Sequence, residues 1–404
     1  MNVLSLFDGM SCGQQALERS GVNVNKYYAS EIDKFAIQVT MDNYPNTIQI
    51  GSVVDVDVNS LDKIDLVIGG SPCQSFSFAG RRKGMSTKDS QEILTLEHYL
   101  KLKEEGFEFE GQSYLFWEYM RILIDIKKSN PNVLFLLENV MMGKKWQSVL
   151  TKAIGIEPIC INSSLVSAQN RRRLYWTNIG LKPNGMFGDK VSIIEQPKDK
   201  NIMLKDILQK DVEDKYYLSQ KAIDYINRDK RNLGFQMNED DDKSKCITAV
   251  FCKQIPYNQI IVHNMMPRSS KSGKGGTGPL KRIDGKTYCL DTKNSNAIEM
   301  VYNNKRLNKT IEGKELEEDS LIDSYNQSIH TDKSITVSTR VSASNLTHVY
   351  KNSRIRKLTP IECERLQTIK DDYTKSVSNS QRYKMIGNGW TVDVIAHIFS
   401  YIEK

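Results

Sequence analysis

Residues 64–77 read IDLVIGGSPCQSFS, and this stretch decides the fold. The apolar run Leu66–Ile68 is typical of a buried strand, and the two glycines that follow free the backbone where that strand ends. In parallel α/β sheets, ligands bind beyond the carboxyl ends of the strands. We therefore expect the thiol of Cys73 at a ligand-binding edge, with Pro72 stiffening the backbone before it.

Taken alone, Cys73 would be interpreted as a buried structural cysteine, because that is the commonest fate of a free thiol. A second strand-like run, VLFLLENV at residues 133–140, brings Glu138 and Asn139 to its own carboxyl end. A carboxyl group at the same edge as a thiol provides a nucleophile and a proton-handling partner. The pair Cys73 and Glu138 therefore favours nucleophilic catalysis.

Residues 1–180 alternate short apolar runs with amphipathic stretches, which is typical of a doubly wound α/β sheet. The predicted strands are Val3–Phe7, Lys26–Ser30, Leu66–Ile68, Val133–Leu137 and Pro158–Ile161. The predicted helices are Gly13–Ser20, Lys34–Asn43, Ser113–Lys128 and Gln147–Ile154. This rhythm predicts one domain with a mostly parallel sheet.

The first predicted strand runs into LFDGMSCG at residues 6–13. Gly9 and Gly13 fall in the turn before a helix, where missing side chains let a ligand approach the backbone. Glu31 ends the second strand, where an acid can accept hydrogen bonds from ribose hydroxyls. For either element alone, a structural explanation is as good as a ligand-binding one, because such motifs are weak. The glycines could simply form a turn, and the glutamate could simply lie on the surface.

From residue 181 to 350 the apolar periodicity weakens, and polar residues and glycine dominate, which predicts a separate loop-rich domain. Within it, Ser269–Gly278 combines Lys271 and Lys274 with four glycines, so that backbone and cation can approach phosphate. A solvated linker is the alternative for this segment. Helical periodicity returns in Arg356–Gln367 and Gln381–Tyr401, and this tail is expected to close onto the first domain.

Composition restricts the class of protein. The 404 residues suffice for two domains, and a net charge of +7 suits a polyanionic partner without requiring one. The seven cysteines contain no Cys-x-x-Cys pair, which argues against a disulfide framework or a zinc finger, and no metal is predicted. No apolar run approaches the ~20 residues of a membrane span, so we expect no membrane association and a cytoplasmic protein.

In kind and order, these motifs resemble those of the cytosine-C5 DNA methyltransferase family over nearly the whole chain. The resemblance rests on Phe7, Gly9, Gly13, Glu31, Pro72-Cys73-Gln74, Glu138-Asn139-Val140, Gln169, Arg171, Arg173, RKLTPIECERLQ at 356–367 and QRYKMIGNGWTVDV at 381–394. It implies a Rossmann-like S-adenosylmethionine-dependent fold with a smaller target-recognition domain at 181–350. Residues 351–404 then complete the catalytic domain of residues 1–180.

The resemblance also implies residue roles. Cys73 adds to carbon 6 of cytosine, Glu138 acts at ring nitrogen 3, Arg171 lies beside that carboxylate and the base, and Arg173 lies near phosphate. S-adenosylmethionine is expected to contact Phe7, Gly9, Gly13, Glu31, Asn388 and Trp390. The flipped base and the DNA are expected to contact Pro72, Gln74, Ser75, Arg81, Asn139, Val140, Gln169, Lys271 and Lys274.

The expected partner is double-stranded DNA, and the chain is expected to be a monomer associated with the nucleoid. The absence of a chromatin-reading module suggests a prokaryotic or phage modification enzyme, and leaves open a restriction endonuclease acting on the same site. A tRNA cytosine-C5 methyltransferase and an inactive DNA-binding relative are the alternatives.

Three departures from the family pattern stand out. Gly51-Ser52 replaces a Gly-Asp that contacts the cofactor adenine in many members. The last motif reads Gly-Asn-Gly-Trp, and FDGMSCG together with Trp390 is more similar to the vertebrate de novo branch. Residues 86–112 form a charged insertion to which the sequence assigns no role.

Overall fold

The computed structural model describes residues 1–72, 85–184, 189–216 and 358–403, together with the backbone of seven short strands between residues 259 and 357. Six residues singled out above lie outside the described residues: Cys73, Gln74, Ser75, Arg81, Lys271 and Lys274. Within the part that is described, every helix is too short or too polar to cross a bilayer.

A seven-stranded sheet organises the first body of the molecule. Its strands are β1 Asn2–Leu6, β2 Lys26–Ser30, β3 Ile48–Gln49, β4 Leu66–Gly70, β5 Leu134–Val140, β6 Ile159–Asn162 and β7 Arg172–Thr177, in the spatial order β3-β2-β1-β4-β5-β7-β6. Strands β1 to β5 pair in parallel, whereas β7 is antiparallel to both β5 and β6. The predicted doubly wound, mostly parallel α/β fold is confirmed, and the strand order reverses between β1 and β4, where ligands bind in such sheets.

Helices cover both faces of the sheet. They are α1 Cys12–Ser20, α2 Lys34–Asn43, α3 Leu96–Glu104, α4 Phe116–Ser129, α5 Lys144–Ile154, α6 Leu204–Ile207, α7 Pro360–Leu366, α8 Asn379–Asn388 and α9 Val392–Phe399. One apolar core joins α1 to α9, and a second core joins α3, α4 and α5 to the other face. The C-terminal segment therefore packs directly on the sheet domain.

Two helix predictions need correction. Helix α7 begins at Pro360 rather than at residue 356, because Thr359 and Glu362 form a capping box and Pro360 occupies the first turn. The helix predicted over Gln381–Tyr401 is two helices, α8 and α9, separated at Gly389. A Cβ at Gly389 would lie 2.6 Å from Cε of Met10, so the break lets the chain cross the turn that follows β1.

The remaining strands belong to three smaller sheets. A hairpin is formed by β8 Leu181–Asn184 and β9 Asp189–Ser192. The others are β10 Gln259–Asn264, β11 Leu280–Arg282, β12 Asn296–Val301, β13 Leu321–Asp323, β14 Ser328–His330, β15 Thr347–Val349 and β16 Arg356–Lys357, arranged as β11-β10-β12-β16 and β14-β13-β15.

Residues 193–209 return to the sheet domain after that hairpin. Ile194 and Ile207 are buried in its core. Arg365 donates a hydrogen bond of 2.9 Å to the carbonyl of Ile207, and the backbone N–H of Gln209 donates to Glu362 at 2.8 Å. The chain therefore remains attached to the first body well beyond residue 181.

Candidate active site

The turn after β1 is held open by unusual backbone angles. Phe7 and Gly9 both have positive φ, at 58° and 59°. A Cβ at Gly9 would meet nothing within 4 Å, so the space above this turn is free of described protein atoms. The open, left-handed turn is where the sequence predicted close ligand approach.

Glu31 fixes this turn from the neighbouring strand. The backbone N–H of Gly9 donates to Oε2 of Glu31 at 2.8 Å, and Oε1 accepts 2.8 Å bonds from the N–H groups of Ile32 and Asp33. Each carboxylate oxygen has about two acceptor sites, so Oε2 retains capacity for a further donor. The carboxylate is thus oriented before any ligand binds.

Gly13 has a different role from the one expected. A Cβ there would lie 2.5 Å from Cδ1 of Ile68 and 2.8 Å from Oη of Tyr27. The missing side chain lets α1 pack closely on β2 and β4. Gly13 therefore permits close helix-to-sheet packing, and its contact with the cofactor stays a prediction.

Asp8 lies in the same turn and was not singled out from the sequence. Its carboxylate accepts hydrogen bonds from the hydroxyls of Ser11 and Tyr27, the latter at 2.7 Å. Burial raises the pKa of Asp8 to about 6, against the lowering effect of these bonds. The sequence could have indicated Asp8, because it is an acidic residue between Phe7 and Gly9 in the turn from a strand to a helix.

Glu138 lies near the carboxyl end of β5, directly beside the last residue of β4. It is 9% exposed, and the strand register places it opposite Gly70. A Cβ at Gly70 would lie 3.2 Å from Oε2 of Glu138 and 2.9 Å from Nε1 of Trp390. The absent side chain at Gly70 therefore lets both Glu138 and Trp390 approach the strand that leads to residue 73.

The arginine beside the carboxylate is not the one that the sequence predicted. Nε of Arg173 lies 3.0 Å from Oε1 of Glu138, so Arg173 is the arginine beside the carboxylate. Arg171 is 4% exposed and donates to the carbonyls of Gly387 and Gly389 at 3.3 and 3.0 Å. Arg171 thus braces the segment that carries Trp390, while Arg172 is exposed as expected.

Asn139 and Gln169 are internal residues. The side chain of Asn139 donates to Oγ of Ser71 at 3.0 Å, which ties β5 to the segment entering residue 73. Gln169 is fully buried and donates to the carbonyl of Leu366 at 3.2 Å. Neither residue is exposed to contact DNA here, because motif spacing does not reveal which way a side chain points. Val140 packs half-buried against the core, and Pro72 is half-buried.

The C-terminal segment completes this edge of the sheet. The hydroxyl of Tyr373 donates to the carbonyl of Met10 at 2.8 Å. Asn388 is exposed and Trp390 is half-buried beside the turn.

Ile32 was not singled out from the sequence. It follows Glu31 and is 71% exposed, which is a high exposed fraction for a large apolar side chain at this edge of the sheet.

Comparisons with known proteins identify a family for the whole chain. Residues 1–404 match a family model described as C-5 cytosine-specific DNA methylase. The orphan methyltransferase M.SPRI of Bacillus phage SPR is 27% identical over 464 residues, covering 100% of this chain and 99% of that protein. The type II methyltransferase M.NlaIV of Neisseria lactamica is 25% identical over 427 residues, covering 97% and 96%.

Solved structures show the same fold. A DNMT2 structure from Spodoptera frugiperda superposes with a TM-score of 0.55 at 15% identity, covering 100% of this chain and 99% of that one. The Entamoeba histolytica methyltransferase EhMeth gives 0.53 at 14% identity, with the same coverage. At this identity the likeness concerns the architecture alone.

Proposed function

Because this chain belongs to the C-5 cytosine-specific DNA methylase family, and is a DNA cytosine methyltransferase, we propose that it methylates a flipped cytosine within a specific duplex sequence through a covalent Cys73 adduct. The observation that carries this proposal is the approach of Glu138 and Trp390 to Gly70, with Arg173 paired to that glutamate. These groups surround the strand end that leads to the thiol.

The residues around the first turn fit S-adenosylmethionine, the methyl donor of the family. An open turn at Gly9, a pre-oriented carboxylate at Glu31 and an exposed apolar side chain at Ile32 suit a backbone contact, a ribose and a flat base respectively. Phe7 and Trp390 would enclose the ligand, and the exposed Asn388 would contact it. When bound, the donor supplies an electrophilic sulfonium methyl group.

In the proposed reaction the Cys73 thiolate adds to carbon 6 of the target cytosine, and carbon 5 becomes nucleophilic. Glu138 stabilises the charge that develops at ring nitrogen 3, by hydrogen bond or proton transfer. Arg173 holds Oε1 and leaves Oε2 facing the Gly70 end of β4. After carbon 5 gains the methyl group, loss of its proton to a base restores the double bond and expels the thiolate.

Carbon 5 is stacked inside duplex DNA, so the base has to leave the helix, which requires a few kcal/mol that protein contacts offset. We assign sequence recognition to residues 210–357, a shorter range than the 181–350 expected from composition. Support comes from the packing of residues 193–209 on the sheet domain, and from the strands β10 to β16. These strands argue against a linker over the whole region.

The biological role we propose is modification of host or phage DNA. Support comes from relatives named as orphan phage methyltransferases and type II methyltransferases. We expect a cytoplasmic monomer bound to DNA, with or without a nuclease acting on the same site.

The test is methyl transfer followed by covalent trapping. Conversion sequencing of DNA from expressing cells would identify the site, and purified protein would then be mixed with that duplex carrying 5-fluorocytosine, because fluorine blocks loss of the carbon 5 proton. We expect a denaturation-resistant adduct that requires S-adenosylmethionine and is absent in Cys73→Ser. Cys160→Ser is the matched control, since Cys160 is a half-buried free cysteine. Methylation of tRNA instead of DNA, or turnover by Cys73→Ser, would contradict the proposal.

A further inference from the structure

A half-buried acid lies directly beneath the turn assigned to the cofactor. Asp8 stands between Phe7 and Gly9, and its carboxylate faces inward to Tyr27 of β2 and to Ser11, the residue before α1. Ser11 itself has φ 57° and uses its hydroxyl for Asp8 instead of capping the helix. The geometry therefore directs an acceptor group into the base of the turn.

The titratable and polar groups around Asp8 are Tyr27 and Ser5 on the strands, Ser11 and Cys12 at the start of α1, Glu31 after β2, and Tyr373 of the C-terminal segment. The charges of Arg19 and Arg171 oppose the raised pKa of the adjacent Cys12 thiol, whereas the charge of Glu31 adds to the raised pKa of Asp8. A carboxylate whose pKa is raised by burial lowers stability when it is ionised, and such groups persist in proteins where function needs them.

The inference rests on the proposed function. We infer that Asp8 is a specificity-determining residue, whose ionised carboxylate favours cationic S-adenosylmethionine over its neutral-sulfur product, S-adenosylhomocysteine. The two molecules differ by one methyl group and one positive charge on sulfur. Water screens Coulomb attraction less beside a partly covered carboxylate than in bulk solvent, so a negative charge under the turn stabilises the cationic donor more than the neutral-sulfur product. Spent product then leaves more readily.

Binding calorimetry with the two compounds tests this at pH 8. For the wild-type chain we expect tighter binding of S-adenosylmethionine, and for Asp8→Asn we expect the ratio of the two dissociation constants to shift about tenfold toward the product. Tyr27→Phe is the matched control, because it removes a hydrogen bond and keeps the charge. Its ratio should remain that of the wild type.

A pH series adds a second readout that needs no variant. Both ligands carry the same amino and carboxyl groups, so their own titrations cancel in the ratio. In the wild type the preference for the donor should weaken as pH falls through about 6, where Asp8 is protonated, and in Asp8→Asn it should be flat. This series decides the question even if Asp8→Asn fails to fold.

Equal weakening of both ligands in Asp8→Asn, or a wild-type ratio that does not change with pH, would overturn the inference and leave Asp8 a packing residue. Failure of the wild-type chain to bind either compound would overturn the proposed function itself. The two failures are therefore distinguishable.

Discussion

Nε of Arg173 lies 3.0 Å from Oε1 of Glu138, across the antiparallel pairing of β7 with β5. Both side chains are largely covered, so solvent screens this pair less than a surface pair. The ion pair fixes one oxygen of Glu138 and leaves the other facing the strand end that leads to Cys73. Arg173 is therefore a positioning residue for the proposed acid.

We predict that Arg173→Ala lowers kcat at least about tenfold, because an unheld carboxylate samples unproductive orientations. The KM for S-adenosylmethionine should change little, since the turn at Gly9 is anchored separately. Steady-state kinetics with Arg173→Lys should show partial rescue. Arg172→Ala, at an exposed neighbour, is the control and should retain activity. A change in KM alone would contradict the positioning role.

We predict that Gly70→Ala severely reduces methyl transfer. The added Cβ would lie 2.9 Å from Nε1 of Trp390 and 3.2 Å from Oε2 of Glu138, so one of them has to move. Activity should fall while the protein still melts cooperatively. Gly143→Ala is the matched control, because a Cβ there meets nothing within 4 Å. Equal activity of the two variants would show that Gly70 is not sterically required.

We predict that Glu31→Ala weakens binding of S-adenosylmethionine by about 1–3 kcal/mol, the usual loss for hydrogen bonds to a charged group. Part of this loss arises because the N–H of Gly9 loses its acceptor. Calorimetry measures the affinity directly, with the exposed Glu157→Ala as control. Unchanged affinity in Glu31→Ala would reject the assignment.

We predict that Asp8 makes folding stability depend on pH. Its pKa is about 6 in the folded protein, against a usual value of 3.8, so the folded state holds the proton more tightly. This contribution to stability is complete below about pH 4 and is lost as pH rises through about 6. At pH 8, Asp8→Asn should be more stable than wild type by roughly 1–3 kcal/mol, and near pH 5 the difference should shrink. Urea unfolding at both pH values measures this, and a constant difference would contradict it.

We predict that exchange of residues 210–357 for the corresponding region of another family member gives a folded enzyme that methylates the donor's site. Exchange of residues 181–350 should instead give an unstable protein, because it removes Ile194 and Ile207 from the core. Thermal melting and conversion sequencing distinguish the two chimaeras. An active 210–357 chimaera that kept the original site would place recognition elsewhere.

The fold could be predicted from the sequence because buried strands appear as short runs of apolar residues. Strand β2 was predicted over the same residues, Lys26–Ser30, and the predicted β1, β4 and β5 overlap the observed strands. Strand β7 was missed because it begins with the polar pair Arg172 and Arg173, which hid its apolar half. Gly389 was read as a helical residue because its contact with Met10 is distant in the chain.

By itself, the sequence determined the α/β fold, the family, and the residue types that meet at the carboxyl edge of the sheet. Those features follow from local periodicity and from motif order, which the chain carries without folding. Only the tertiary structure decided that Arg173 rather than Arg171 pairs with Glu138, that Gln169 is internal, and that residues 193–209 belong to the sheet domain. Each of these depends on contacts between residues that are far apart in the sequence. The spacing of residues along the chain does not show which of them lie close together after folding.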